Sequence, residues 1–97
     1  MGAAIVGADT TLRRPPGVLA EEVGGTTVVL DPVADRYARL NATGGRLFAM
    51  LAEAPATARR LAAALAASAG IDEERALADV LAFAEDLVAR GLLQVEG

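Results

Sequence analysis

The stretch Leu30-Asp31-Pro32-Val33-Ala34-Asp35-Arg36-Tyr37-Ala38-Arg39-Leu40-Asn41 decides the fold of this chain. It reads as the end of one strand, a turn and a second strand. Pro32 cannot donate a ladder hydrogen bond, so the first strand should end near Asp31. Side chains alternate along the second strand, which places Ala38 and Leu40 on one face and Tyr37 on the other. Because Leu40 leads straight into a helix, its face is predicted to be the inner one.

A hairpin precedes this stretch. Residues 18–23 form a modest strand, Gly24-Gly25 is a strong turn signal, and residues 26–30 are rich in β-branched side chains. The result is a three-strand meander whose third strand, 36–40, lies at an edge unless the first strand folds back on it. An edge strand has unpaired N–H and C=O groups, which an extended peptide can complete.

The remainder of the chain is predicted to be helical. Thr43 is the expected N-cap of the first helix, Pro55 separates it from the second, and Thr57 caps the second. Asp72 caps the third helix, which covers 73–90 and ends at Gly91. The fold class is therefore α+β, a three-stranded antiparallel sheet followed by three helices. Residues 1–17 are expected to be a flexible N-terminal arm, and residues 18–97 a single domain.

The third helix has an unusually wide apolar surface. One stripe is Ala76, Val80, Phe83 and Leu87, and a second is Leu77, Leu81, Ala84 and Val88. The stripes are about 100° apart, so the apolar arc spans about 160°. Either the core covers the whole arc, or one stripe lines an open groove. The pattern alone does not decide between these readings.

Composition excludes several classes of function. The 97 residues contain no cysteine and no histidine, so thiolate chemistry and imidazole bases are absent, and no catalytic residue, metal site or cofactor is predicted. The net charge of −4 argues against nucleic-acid binding. There is no signal peptide and no apolar run of membrane-spanning length, so we expect a cytoplasmic monomer with no membrane partner.

Two runs of residues carry a family resemblance. Residues 35–44, Asp-Arg-Tyr-Ala-Arg-Leu-Asn-Ala-Thr-Gly, combine an aromatic strand, Leu-Asn and a Thr-Gly helix start. Residues 79–93 begin with Asp-Val and close with Gly-Leu-Leu. In this order and spacing, the chain resembles the PqqD-like family from about residue 18 to 95. These are stand-alone recognition elements for ribosomally made precursor peptides (RiPPs), with a winged-helix-turn-helix-like fold. The tyrosine-bearing strand is most similar to the lasso-peptide branch.

The resemblance implies a binding protein that is not an enzyme. It implies that the leader segment of a precursor peptide adds as a strand to 36–40, beside helix 73–90, and is presented to a leader peptidase and a macrocyclase. A departure occurs at Ala38, where relatives often have a large aromatic residue. The candidate peptide-binding residues are Arg36, Tyr37, Ala38, Arg39, Leu40, Leu77, Asp79, Leu81, Ala84, Glu85 and Val88.

Other readings of the same residues stay open. The chain can instead be an acidic winged-helix domain for regulation or protein interaction, or a small enzyme based on carboxylates. Tyr37 either anchors the leader or covers the sheet, and Arg36 and Arg39 either contact the leader or protect the edge. Asn41 is interpreted as a structural cap rather than a contact. Either of the two stripes of the third helix can be the one that lines the groove.

Overall fold

The computed structural model describes residues 6–96. The elements in chain order are β1 (Thr11–Arg13), β2 (Leu19–Val23), β3 (Thr26–Asp31), β4 (Arg36–Leu40), α1 (Ala42–Glu53), β5 (Ala56–Thr57), α2 (Ala58–Ala69), α3 (Glu73–Ala89) and β6 (Gln94–Glu96). The predicted α+β class is confirmed, with a meander followed by three helices. Within these residues, no helix is both long and apolar enough to cross a membrane.

Strands β2, β3 and β4 form the predicted antiparallel meander in that spatial order. The register pairs Thr27 with Leu40 and Asp31 with Arg36. Asp31 Oδ1 accepts hydrogen bonds from the N–H groups of Val33 and Ala34, both at 3.1 Å, which closes the turn into β4. The turn chemistry read from the sequence therefore gives the correct bounds for β4.

A second sheet was not predicted. In it, β1 lies between β5 and β6 and is antiparallel to both. Leu12 at its centre is completely buried. This part of the chain differs from the loose arm expected over 1–17, because its strand partners lie more than 40 residues away in sequence and three residues show no period of their own. The first five residues of the predicted arm lie outside the described residues.

The helix caps agree with the sequence except at α1. There Asn41, not Thr43, is the N-cap, and Asn41 Oδ1 accepts a hydrogen bond from the Gly44 N–H at 2.8 Å. The structural role expected for Asn41 is thus confirmed. Thr57 caps α2 as predicted, accepting from the Arg60 N–H at 3.1 Å. Asp72 occupies the N-cap position of α3, but its side chain makes no capping hydrogen bond.

The three helices and the inner face of the meander enclose one core. The largest fully buried side chains are Phe48, Leu12, Leu47, Leu65, Leu87, Leu92, Leu93, Val29 and Val80. The tail after α3 packs back onto the core, and the Leu92 N–H donates to the Leu87 carbonyl at 2.8 Å. Helix α1 lies tightly on β3, since a Cβ added to Gly45 would come 2.5 Å from Thr27 Oγ1.

Candidate peptide-binding cleft

Strand β4 is an edge of the meander, as the sequence predicted. Within residues 6–96 it pairs with β3 alone, so its other side is free. Ala38 and Leu40 face the core side of β4 and are buried, whereas Tyr37 faces the opposite side and is 66% exposed. A strand with one paired side and one open side has backbone donors and acceptors available to a further strand.

A cleft separates one end of β4 from α3. It has a volume of about 390 Å³ and is lined by Arg39, Leu40, Asn41, Thr43, Gly44, Asp79, Ala82, Phe83 and Asp86. Gly44 shapes its floor, because a Cβ there would lie 3.3 Å from Leu40 Cβ and 3.5 Å from Phe83 Cδ1. Without that side chain, the half-buried Phe83 ring reaches the base of the strand. The cleft is thus apolar at its floor and bordered by polar groups.

A second, more open cavity lies at the other end of β4. It is lined by Asp35, Arg36, Tyr37, Val88, Ala89, Arg90 and Gly91. Arg36 Nη1 donates to the Arg90 carbonyl oxygen at 3.5 Å, which links the strand to the end of α3. Gly91 has a φ of 77°, and a side chain there would overlap the Arg36 guanidinium. The two cavities together follow β4 from its first residue to its last.

Two carboxylates on α3 make the wall of the first cleft acidic. Asp86 Oδ1 is 3.0 Å from Arg90 Nε, so its charge is partly compensated. Asp79 has no ionic partner among residues 6–96, where the ion pairs are Arg13–Glu96, Arg59–Asp9 and Arg90–Asp86. Asp79 is the carboxylate left to interact with a cationic group in the cleft.

The structure brings six of the candidate residues to these two cavities: Arg36, Tyr37, Arg39, Leu40, Asp79 and Val88. Of the others, Ala38 is buried beneath β4 and Glu85 is exposed outside both linings. Ala84 is fully buried, and Leu77 and Leu81 pack half-buried against the core. The groove position expected for these last three is not what the described structure shows.

The rotation of α3 about its own axis explains why Leu77, Leu81 and Ala84 do not line the cleft. At ~100° per residue, Phe83 lies about 200° around the helix from Leu81, so the two side chains cannot line the same cleft. The cleft wall combines the polar border of the helix, Asp79 and Asp86, with Ala82 and with Phe83 from the stripe led by Val80. Sequence reasoning missed Ala82 and Asp86, whereas Phe83 belongs to the stripe led by Val80, which was one of the two alternatives for the groove. Phe83 could have indicated this side of α3 as the cleft wall, because it is a large aromatic side chain next to the polar face of the helix.

The opposite edge of the sheet, β2, has a cleft of its own. It has a volume of about 510 Å³ and lies between β2 and α1, with Ala49 and Ala52 on the helix side. The Arg14 guanidinium stacks over the Phe48 ring at 4.3 Å, and burial lowers its pKa from the usual value. Arginine remains charged under such conditions. This cleft is a second candidate for a bound strand.

The described residues offer little else for chemistry. Among residues 6–96, no three Cys, His, Asp or Glu side chains cluster in a way that could hold a metal ion. The arrangement consists of an open strand edge and cavities lined by both polar and apolar groups. Such an arrangement can bind an extended peptide through its backbone and select among side chains.

Comparison with known proteins identifies relatives by sequence pattern and by fold. A sequence model of the family described as Coenzyme PQQ synthesis protein D (PqqD) matches residues 26–93. No curated protein matches the chain. Among solved structures, the PqqD part of Methylobacterium extorquens PqqCD, described as a functional and stand-alone RiPP recognition element, superposes with a TM-score of 0.83 at 20% identity. It covers 97% of this chain and 99% of its own.

Two similar structures contain a peptide. "TbiB1 in Complex with the TbiA(beta) Leader Peptide" has a TM-score of 0.76 at 21% identity and covers 88% of this chain and 98% of its own. "Lasso peptide synthetase B1 complexed with the leader peptide" has a TM-score of 0.73 at 20% identity and covers 86% of this chain and 96% of its own. At these identities the likeness establishes the fold.

Proposed function

Because the chain belongs to the PqqD family, we propose that it binds the leader segment of a ribosomally made precursor peptide as an additional strand on β4, beside α3. The observation that carries this proposal is the pair of cavities along the free side of β4. The structures with leader peptides described above have the same fold, which supports a peptide ligand of the same kind for this chain.

The binding mode follows from strand geometry. An added strand satisfies the open N–H and C=O groups of β4, which gives affinity for nearly any extended peptide. Alternate side chains of the peptide then point between β4 and α3. The two cavities lie at opposite ends of a five-residue strand, about 14 Å apart at ~3.4 Å per residue. A leader with two apolar side chains about four residues apart therefore fits best.

The strength of binding is bounded by burial and ordering. Each apolar leader side chain that becomes buried contributes about 1.5–3 kcal/mol before the ordering cost of a flexible peptide is subtracted. Two such anchors and a backbone ladder give a dissociation constant between nanomolar and micromolar, or about −8 to −12 kcal/mol. Ala38 lies on the buried inner face of β4 and has a small side chain. We therefore expect the cavities at the two ends of β4 to select among the side chains of the leader.

Leader binding is proposed as the whole biochemical role of this chain. We infer that the bound leader is presented to the processing enzymes of the same pathway, a leader peptidase and a macrocyclase. The lasso-peptide structures among the similar folds support this branch of peptide chemistry. On this view the chain itself forms and breaks no covalent bond, and α3 and β4 serve only to hold the leader in an extended conformation.

A titration of ¹⁵N-labelled protein with the leader from the neighbouring precursor gene tests the proposal. Saturable shifts of amides in 36–40 and 79–91, with slowed hydrogen exchange along β4, are expected. Residues 19–23 of β2 should change little and serve as an internal control. A scrambled peptide of the same composition should bind at least tenfold more weakly, about 1.4 kcal/mol. Absence of saturable binding at tens of micromolar leader would contradict the proposal.

A further inference from the structure

The face of the meander that points away from the core carries exposed apolar side chains in the described structure. The register places Leu19, Leu30 and Tyr37 side by side across the three strands, and they are 52%, 40% and 66% exposed. The next outward row contains Glu21, Val28 and Arg39. We call these two rows the outer face. The alternate row, which contains Val29 and Ala38, points inward and is buried.

The outer face has a pattern that is complementary to itself. Its first row is apolar on all three strands, and its second row is acidic on β2, apolar on β3 and basic on β4. Glu21 and Arg39 are two strand spacings apart in the same chain, about 10 Å. Neither takes part in an ion pair within residues 6–96. Each charge is thus available to a partner lying over the sheet.

We propose that the outer face binds a second copy of this chain, sheet against sheet, about a two-fold axis parallel to β3. Such an axis places β2 of one copy over β4 of the other. Leu30 then meets the partner's Leu30, Leu19 meets the partner's Tyr37, and Glu21 meets the partner's Arg39. Packed sheets lie about 10 Å apart with strands within about 30° of each other, a distance that Glu and Arg side chains span together.

Charge selects this axis over the alternative. A two-fold axis in the interface but perpendicular to the strands would place β2 over the β2 of the other copy and β4 over its β4, so that the acidic strands face each other and the basic strands face each other. Like charges facing each other disfavour such an arrangement. The parallel axis instead forms the Glu21–Arg39 contact twice, once on each side of the dimer.

The size of the face predicts a weak dimer. Three strands of about five residues cover about 17 by 14 Å, which is less than the ~800 Å² per partner of a standard stable interface. A dissociation constant of tens of micromolar or weaker is therefore expected, about −6 kcal/mol. This revises the expectation of a monomer. The backbone groups on the free side of β4 point along the sheet plane, so a leader strand can pair with them in the dimer, while Tyr37 and Arg39 contribute side chains to both surfaces.

Analytical ultracentrifugation from 5 to 500 µM tests the proposal, because the mass should rise from 9.9 kDa toward twice that value. Leu30→Lys sets two like charges against each other on the axis and should abolish the rise. Val33→Lys is the matched control, since Val33 is 93% exposed in the turn outside the outer face. A single species of 9.9 kDa at every concentration overturns the proposal, as does equal dissociation by both variants.

A charge exchange tests the axis. Glu21→Arg should weaken the dimer about fivefold, because it places Arg against the partner's Arg39 in two contacts. Adding Arg39→Glu to the same chain should restore the wild-type dissociation constant. Failure of the double variant to recover contradicts the two-fold arrangement. Leader titration of Leu30→Lys separates the two proposals, because that variant should bind the leader as the wild type does.

Discussion

The meander has two free edges, and they differ in what stands beside them. Along β4, cavities occur at both ends of the strand, and α3 forms the far wall. Along β2, one cleft lies against α1, and the strand itself carries Glu21 and Glu22. Charged side chains on an edge strand are a common protection against unwanted pairing. Both edge strands carry two charged residues and both have room beside them, so we expect the cavities at both ends of β4 to decide which edge binds a peptide.

The packing of the helices explains this difference. Helix α1 approaches the sheet closely, because Gly45 lies against Thr27 without a side chain between them. Helix α3 packs mainly on α2 and approaches β4 through the hydrogen bond from Arg36 and through the floor formed by Gly44 and Phe83. The space between β4 and α3 is the consequence. Four predictions test whether this contrast determines which edge binds a peptide.

Filling each cleft with a bulky side chain should have the largest effect. Ala82 and Ala49 are both exposed helical alanines, and each lines one of the clefts. Ala82→Trp should reduce leader affinity about 30-fold, or ~2 kcal/mol, because the indole occupies the path of the peptide. Ala49→Trp should leave the affinity within about twofold. Fluorescence anisotropy of a labelled leader measures both, and a larger loss in Ala49→Trp would assign binding to β2.

A side chain added between α1 and β3 should lower the free energy of unfolding. Gly45→Ala adds a Cβ that clashes with Thr27, and the resulting strain of about 1–3 kcal/mol exceeds the helix-propensity gain of about 1 kcal/mol. Urea unfolding followed by circular dichroism measures the loss. Combining Gly45→Ala with Thr27→Ala removes the obstacle, so the double variant should be more stable than Thr27→Ala alone by up to about 1 kcal/mol, the helix-propensity gain. A neutral Gly45→Ala would show that α1 does not lie as tightly on the sheet as described.

Substitution of Asn41 distinguishes a helix cap from a peptide contact. Asn41→Ala should lower the free energy of unfolding by about 1 kcal/mol, because the Gly44 N–H loses its acceptor. Thr57→Ala, which removes the cap of α2 away from both clefts, is the matched control and should lose a similar amount. Leader affinity should be unchanged in both variants at temperatures where they are folded. A selective loss in Asn41→Ala would make Asn41 a peptide contact.

The smallest effect is expected from the charge on the cleft wall. For a leader with Lys or Arg at the position facing α3, Asp79→Asn should weaken binding about two- to fivefold at low salt, and less at high salt. Glu85→Gln, which removes a carboxylate outside both cavities, should have no effect. Isothermal titration calorimetry at two salt concentrations distinguishes them. Equal effects of the two variants would indicate a general influence of net charge rather than a local contact.

Much of the site was predictable where local chemistry specifies the backbone. Asp31 and Pro32 fix the turn before β4, and alternation along 36–40 correctly separates buried Ala38 from exposed Tyr37. Gly91 was expected to end α3, and its φ of 77° is the left-handed conformation typical of a glycine after a helix. The N-cap of α1 shows the limit of predictions from local sequence, because Thr43 was expected there and Asn41 is observed. Both side chains are good caps, but it is Asn41 that has the extended backbone of a cap and accepts from the Gly44 N–H.

The sequence by itself determined the three strands of the meander, their turns, the approximate helix limits and the family, because each depends on residues close together in the chain or on motifs in a fixed order. Only the tertiary structure decided that β1 inserts between β5 and β6, and which side of α3 faces β4. A wide apolar arc indicates that much of a helix is buried, but it does not indicate which neighbouring element covers each part of the arc. That choice depends on the packing of α2 and Phe83, and it moved the candidate wall from Leu77 and Leu81 to Ala82, Phe83 and Asp86.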